Sequence, residues 1–247
     1  GDYDKDGWLD LYVVNYSLGL SNPIPQRNFL FRNVGDGTFE ETTLTAGVAD
    51  SNRAPFIAAF LDYNNDTWPD IFVPSDKHKG SSLYENQGDG TFINVSDNAN
   101  SNVLIDAMTV TVGDYDNNDF LDIYITNTVG GNSLTHNNGD GTFSEMAGLA
   151  GVNFDAFSWG ANWVDYDFDG DLDLYVCGDN YNHLGGPSVF YENQGNGTFT
   201  QPNVGFLGDT LRNFSSAIGD IQNDGYPDIA VGVCLLYTSP SPRDPNR

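Results

Sequence analysis

The 247-residue chain predicts an all-β fold, a β-propeller built from four-stranded antiparallel blades. Three observations carry that prediction. An Asp-rich segment recurs at a blade-sized period, a short β-branched or aromatic run follows each copy, and glycine-rich hairpin signals fall between copies. Composition agrees: 30 of the 35 acidic residues are Asp, and Gly and Asn number 28 each, so residues that favour turns dominate over helix formers. At 39% hydrophobic and 13% aromatic, the chain carries enough apolar material for a packed core.

The Asp-rich segment begins as Asp2-Tyr3-Asp4-Lys5-Asp6-Gly7-Trp8-Leu9-Asp10 and returns as Asp62-Tyr63-Asn64-Asn65-Asp66-Thr67-Trp68-Pro69-Asp70. The third copy is Asp114-Tyr115-Asp116-Asn117-Asn118-Asp119-Phe120-Leu121-Asp122, and the fourth is Asp165-Tyr166-Asp167-Phe168-Asp169-Gly170-Asp171-Leu172-Asp173. Asp220-Ile221-Gln222-Asn223-Asp224-Gly225-Tyr226-Pro227-Asp228 is the fifth, and successive first aspartates are 60, 52, 51 and 55 residues apart. Runs such as Leu11-Tyr12-Val13-Val14, Ile123-Tyr124-Ile125 and Leu174-Tyr175-Val176 follow the copies and read as strands.

A second element alternates with the first: Asn33-Val34-Gly35-Asp36-Gly37-Thr38-Phe39 and its equivalents ending at Phe92, Phe143 and Phe199. Asp-Gly or Asn-Gly between strand-like flanks signals a hairpin, because both residues tolerate positive φ. A further strand, such as Ser158-Trp159-Gly160-Ala161-Asn162-Trp163-Val164, precedes each Asp loop. One unit is thus strand, Asp loop, strand, longer connection, strand, hairpin, strand. The units span about 1–47, 54–96, 106–147, 155–202 and 213–233, three complete and two partial, so residues 1–233 read as a fragment of a larger propeller. Residues 234–247 carry three prolines and two arginines where a third strand was due, and read as a non-native or disordered tail.

The loop spacing D-x-[DN]-x-[DN]-G-x-x-D suits a hard divalent cation, which takes six to eight oxygens at roughly 2.3–2.6 Å. Positions 1, 3 and 5 point inward, position 7 offers its main-chain carbonyl, and the Asp at position 9 closes the shell. The expected ligand sets are Asp2, Asp4, Asp6, Trp8 and Asp10; Asp62, Asn64, Asp66, Trp68 and Asp70; and Asp114, Asp116, Asn118, Phe120 and Asp122. The remaining two are Asp165, Asp167, Asp169, Asp171 and Asp173, and Asp220, Gln222, Asp224, Tyr226 and Asp228. Up to five Ca²⁺ ions are expected, bound most tightly at Asp2–Asp10 and Asp165–Asp173, which have four carboxylates and a Gly. Thr67, Asp119 and Gln222 depart from the pattern at the other three. Five ions would bring the formal charge from −26 to −16, relieving the repulsion among clustered carboxylates.

The same charge repels phosphate backbones and anionic lipid, which argues against nucleic-acid partners. No apolar run is long enough to insert this fragment directly into a membrane. Two cysteines define no disulfide framework, and Cys177 reads as a small core residue. Of the histidines, His136 stands in a hairpin strand where Glu85 and Glu192 stand in other repeats and reads as a surface variant. His78 and His183 fall in the long connections, and no dyad or triad assembles around any of the three. Trp8 and Trp68, with Phe120 and Tyr226 at the same loop position, read as packing between blades.

The Asp loops together with the N-x-G-D-G-T-F hairpins resemble FG-GAP/VCBS repeats, the units of integrin α-type propellers. Leu11 to Tyr16, Asn28 to Asn33 and Thr43 to Asp50 are most similar to the ASPIC/UnbV (cartilage acidic protein 1-like) group. The resemblance implies a seven-bladed, calcium-binding propeller in an extracellular or cell-surface binding or adhesion protein, with a protein or glycan ligand and no catalysis; a periplasmic location also fits. The alternative is the propeller domain of a secreted carbohydrate-active enzyme such as a polysaccharide lyase, since some propellers of this kind look similar to lyases.

Overall fold

The computed structural model describes residues 1–16, 27–51, 53–128, 130–179, 185–202 and 211–233. The tail, Cys234 and His183 lie outside them. Strands form wherever short β-branched and aromatic runs lie between turn residues, and they group into five antiparallel sheets in chain order. The first sheet holds β1 (Leu11–Val13), β2 (Phe29–Asn33) and β3 (Phe39–Glu41), followed by a helical turn, α1 (Thr43–Ala46). The second holds β4 (Ala59–Leu61), β5 (Asp70–Val73), β6 (Ser82–Asn86) and β7 (Phe92–Asn94). The third holds β8 (Ala107–Gly113), β9 (Asp122–Asn127), β10 (Ser133–Asn137) and β11 (Phe143–Glu145), with a second turn, α2 (Ala147–Ala150). The fourth holds β12 (Ser158–Val164), β13 (Asp173–Gly178), β14 (Val189–Asn193) and β15 (Phe199–Thr200), and the fifth pairs β16 (Asn213–Gly219) with β17 (Asp228–Val233).

These sheets are the blades of a propeller, as the repeat predicts. The innermost strands β4, β8, β12 and β16 pack one against the next, and the blades fan outward from them. The core lies between blades, in four apolar layers. Tyr3, Leu30 and Val48 meet Ile71, Val73 and Tyr84; Leu61, Phe72 and Leu83 meet Val110, Ile123 and Ile125. Tyr124, Leu134 and Val152 meet Leu174, Val176 and Tyr191, and Tyr175, Cys177 and Phe190 meet Ile218, Ile229 and Val231. Strands β5, β9 and β13 are buried along their whole length, because a neighbouring blade covers each face. That double burial explains why their sequences run Ile-Phe-Val or Ile-Tyr-Ile without a polar alternate.

Two details differ from the sequence expectation. The turns α1 and α2 end on Gly47 and Gly151, both at φ 82, which accept the left-handed geometry that closes each turn. In the hairpins the positive φ belongs to the glycines flanking the Asp, as at Gly35 (82°) and Gly37 (91°), and not to the Asp itself. Asp36 instead accepts from the Thr38 amide and hydroxyl, and Asp89, Asp140 and Asn196 repeat this with Thr91, Thr142 and Thr198. The hairpin Asp is therefore a turn device whose carboxylate is already occupied.

Candidate metal centres in the Asp loops

The five Asp loops share one backbone. Position 4 is left-handed in all of them (Lys5, Asn65, Asn117, Phe168, Asn223), and so is position 6 (Gly7, Thr67, Asp119, Gly170, Gly225). Two left-handed residues two apart curl the chain so that side chains 1, 3 and 5 turn to one side. Thr67 and Phe168 hold φ of 76° and 63°, conformations costly for bulky L-residues. Replacing Thr67 with Gly is expected to stabilise the protein by about 0.5–1 kcal/mol, since relieved strain outweighs added unfolded-state entropy. Asp119→Gly should gain less, because Asp tolerates this region better; equilibrium urea unfolding checks both.

Inside each loop the carboxylates are organised by main-chain amides. Asp2 accepts from the Asp6 and Gly7 amides at 3.1 and 3.0 Å, Asp6 accepts from Trp8 at 2.9 Å, and Asp4 accepts from Asp6 at 3.3 Å. Asp62, Asp114 and Asp220 repeat the first pattern, and Asp66, Asn118, Asp169 and Asp224 the second. Three clusters result in which one potential ligand atom from each residue lies within 4.8 Å of the others: Asp2, Asp4 and Asp6; Asp116, Asp122 and His136; and Asp165, Asp167 and Asp173. Among the described residues, Oδ1 of Asp116 and Oδ1 of Asp165 are buried with no hydrogen-bond partner. Orphaned carboxylate oxygens beside other carboxylates fit a hard cation, which takes up such lone pairs and offsets their mutual repulsion. Loops two and five differ: the position-3 amides of Asn64 and Gln222 donate to Asp66 and Asp224 at 3.0 and 3.2 Å. In these two loops an amide N–H stands where a cation would otherwise bridge positions 3 and 5.

The closing Asp does more than the spacing suggested. Asp10, Asp70, Asp122 and Asp173 are buried, and each accepts two main-chain N–H bonds, one from loop position 2 and one from the Asn that opens the outer hairpin. That Asn is a hub in turn. Asn137 donates through Nδ2 to Tyr63 O in the preceding blade at 2.7 Å and to Leu121 O at 3.3 Å, and its Oδ1 accepts from Gly139. Asn86 and Asn193 reach back to Tyr3 O and Tyr115 O in the same way. Position 4 reaches forward: Lys5 donates to Thr67, Asn65 to Asp119 O and Asn117 to Asp171. Neighbouring Asp loops are thereby laced together along one face of the propeller. The recurring Asn is visible in the sequence repeat, but its role and that of position 4 depend on a neighbouring blade.

The position-7 side chains are turned out of the loops. Trp8, Trp68 and Phe120 lie across Gly35, Gly88 and Gly139 of their own blade, where an added Cβ would sit 2.6–2.9 Å from the ring. Their packing is thus mainly within a blade, correcting the expectation of inter-blade contact; Trp8 stays 51% exposed. Lys5 over the Trp68 ring at 4.1 Å and Phe168 against Tyr226 at 5.5 Å add the cross-blade part. Asp171 gives its carboxylate to Asn117 of the preceding blade and not to its own loop. His136 is also corrected. Its side chain is only 18% exposed, and Nδ1 lies 3.0 Å from Asp122 Oδ1 and 3.6 Å from Asp116 Oδ2, so it faces the third loop.

Burial raises the closing carboxyls above the ordinary Asp range: Asp70 is pushed up to about 7, Asp122 and Asp173 to about 6, and Asp10 in the same direction. A folded-state value above the unfolded one means the native protein binds these protons more tightly. Without a bound cation, stability is then greatest below the unfolded value of about 4 and falls as pH rises through 6 to 7. The chelated protein should therefore melt lower at pH 8 than at pH 5, and calcium should remove that loss. A chelated midpoint that holds or rises over this range would contradict the assignment.

This geometry defines a class: a β-propeller whose blades carry acidic loops, three of them with residues that could hold a metal ion. A family model described as FG-GAP-like repeat matches residues 2–73, 62–125, 120–176 and 177–231, and the chain belongs to that family. Cartilage acidic protein 1 of Homo sapiens is 29% identical over 179 residues, covering 68% of this chain and 27% of the relative. The Mus musculus protein of the same name is 28% identical over the same length and coverage. These relatives agree with the ASPIC/UnbV likeness of the sequence, and the matched region spans about a quarter of their length. A solved lectin from Agrocybe aegerita, described as specifically recognising non-reducing terminal N-acetylglucosamine, is 21% identical with a TM-score of 0.43 over 71% of this chain and 45% of that one. No helix among the described residues is long and apolar enough to cross a membrane.

Proposed function

We propose that the protein is a calcium-stabilised, non-catalytic propeller module that acts outside the cytoplasm, at the cell surface or secreted, and holds a protein or glycan partner. The observation that carries this reading is the recurring acidic loop: Asp2, Asp4 and Asp6 (positions 1, 3 and 5) cluster in the first, and Asp165, Asp167 and Asp173 (positions 1, 3 and 9) in the fourth, where Asp165 Oδ1 is buried without a partner. Ca²⁺ is held by Asp2, Asp4, Asp6 and Asp10 in the first loop and by Asp165, Asp167, Asp169 and Asp173 in the fourth. It supplies positive charge between carboxylates that otherwise repel, and so stiffens the link between the first two strands of a blade. Loops two and five, with Asn64 and Gln222 bridging internally, bind more weakly. Extracellular calcium, typically near the millimolar dissociation constants of such modules, suits this role.

Thermal unfolding at pH 7.5 in millimolar calcium and in excess chelator tests the proposal. Calcium at about one to ten times its dissociation constant adds about 0.4–1.4 kcal/mol per independent site, and several sites together raise the midpoint by several degrees. A midpoint indifferent to chelation would overturn the calcium reading. Binding to a glycan array without turnover of polyuronates would support the module over the lyase alternative; turnover would reverse that choice.

A further inference from the structure

The residue just before the hairpin Asn faces the Asp loop in each of the first four blades, and it is of three chemical kinds: a guanidinium, a carboxylate in two blades, and an imidazole. It is Arg32 in the first, Glu85 in the second, His136 in the third and Glu192 in the fourth, at matching register on the third strand. Arg32 lies 3.5 Å from Asp4 Oδ2. Glu85 and Glu192 accept from the hydroxyls of Tyr63 and Tyr166, the second residues of their own loops, at 2.5 and 2.9 Å. His136 takes no Tyr hydroxyl but, like Arg32, approaches the position-3 Asp of its loop. Its ring stands edge-on to Tyr115 at 79°, and Nδ1 is brought to Asp122 Oδ1 and Asp116 Oδ2.

We propose that the third loop, completed by the His136 imidazole, is a site for a borderline divalent cation of the first transition row (the Mn²⁺, Co²⁺, Zn²⁺ class) in preference to Ca²⁺. The proposal deepens the calcium reading and rests on it for the other loops. Three features support it. First, the 3.0 Å from Nδ1 to Asp122 Oδ1 falls within the edge lengths of a coordination shell around a small ion, roughly 3.0–3.4 Å for ligands about 2.1 Å from the metal, and the 3.6 Å to Asp116 Oδ2 lies just beyond them. Second, Oδ1 of Asp116 is buried at this cluster and carries no hydrogen bond. Third, an imidazole nitrogen is a preferred donor for borderline metals and a poor one for Ca²⁺, which selects oxygen. Asn118 moves the loop the same way, because it replaces a carboxylate that Ca²⁺ would favour.

The experiment uses the whole chain at pH 7.5. Co²⁺ serves as the probe, read by its visible ligand-field absorption, with Zn²⁺ and Ca²⁺ as competitors. The wild type is expected to take up Co²⁺ with a nitrogen-containing signature that Zn²⁺ displaces and millimolar Ca²⁺ does not. His136→Gln should weaken that signal at least about tenfold. His136→Glu, which copies Glu85 and Glu192, should fold and shift the site toward calcium. Calcium-induced melting shifts of both variants report the other loops separately, so a missing shift would sink the calcium reading alone. Equal Co²⁺ spectra for wild type and His136→Gln, or ready displacement by Ca²⁺, would overturn the proposal and leave His136 as a hydrogen-bonding partner of Asp122.

Discussion

Replacing Asn137 with Ala should destabilise the protein by roughly 2–4 kcal/mol, equally in calcium and in chelator. The Asn137 side chain is fully buried and spends both amide protons on main-chain carbonyls, Tyr63 O in the previous blade and Leu121 O in its own. Truncation leaves the buried Tyr63 carbonyl without its donor and frees the part-buried Leu121 carbonyl and Gly139 amide, and a buried unsatisfied polar group costs about 1–3 kcal/mol. Asn137→Asp keeps the shape and loses the donors, while placing a charge beside the buried Asp122, so it should be no better tolerated. Asp140→Ala, at the exposed tip of the same hairpin, breaks only the Thr142 turn contact and should cost far less. Urea unfolding of the three variants checks the ranking. An Asn137→Ala loss below about 0.5 kcal/mol would show that the blades do not depend on this hub.

The second large effect separates tether from ligand in the fourth loop. Asp173→Ala removes the acceptor of the Asn193 amide at 2.8 Å and of the Tyr166 amide at 3.1 Å. In chelator it should cost about 1–3 kcal/mol. Asp169 is exposed and accepts only from Asp171 within its loop, so Asp169→Ala should cost little in chelator. In calcium both variants should lose the stabilisation contributed by this loop. The contrast distinguishes a carboxylate that is ligand and tether from one that is ligand alone. Identical behaviour of the two in chelator would refute the tether.

The parts of this protein that sequence reveals are the parts written in local chemistry. Left-handed positions call for Gly, Asn or Asp, hairpins for Gly-Asp-Gly-Thr, and doubly covered strands for unbroken apolar runs; each is visible within about ten residues. The hidden parts join residues far apart. Asn137 and Tyr63 are 74 positions apart and Asn193 and Tyr115 are 78, so the pairing exists only once blades stack. His136 looked like one more outer-strand substitution, because nothing in its neighbours along the chain says that its ring turns toward Asp122. The periodic comparison still held a clue: Arg32, Glu85, His136 and Glu192 occupy one place with three different relations to the loop. Thr67 departs from the loop pattern in sequence, whereas the shared backbone shows Thr67 and Phe168 held in the same left-handed geometry as Gly7 and Lys5.

The most direct measurement is long-wavelength anomalous scattering from crystals grown in calcium. Peaks are expected inside the first and fourth loops, each about 2.3–2.6 Å from oxygens of positions 1, 3, 5 and 9. Calcium-soaked crystals showing no peak in either loop, with Asp2, Asp4 and Asp6 turned to solvent, would contradict the account.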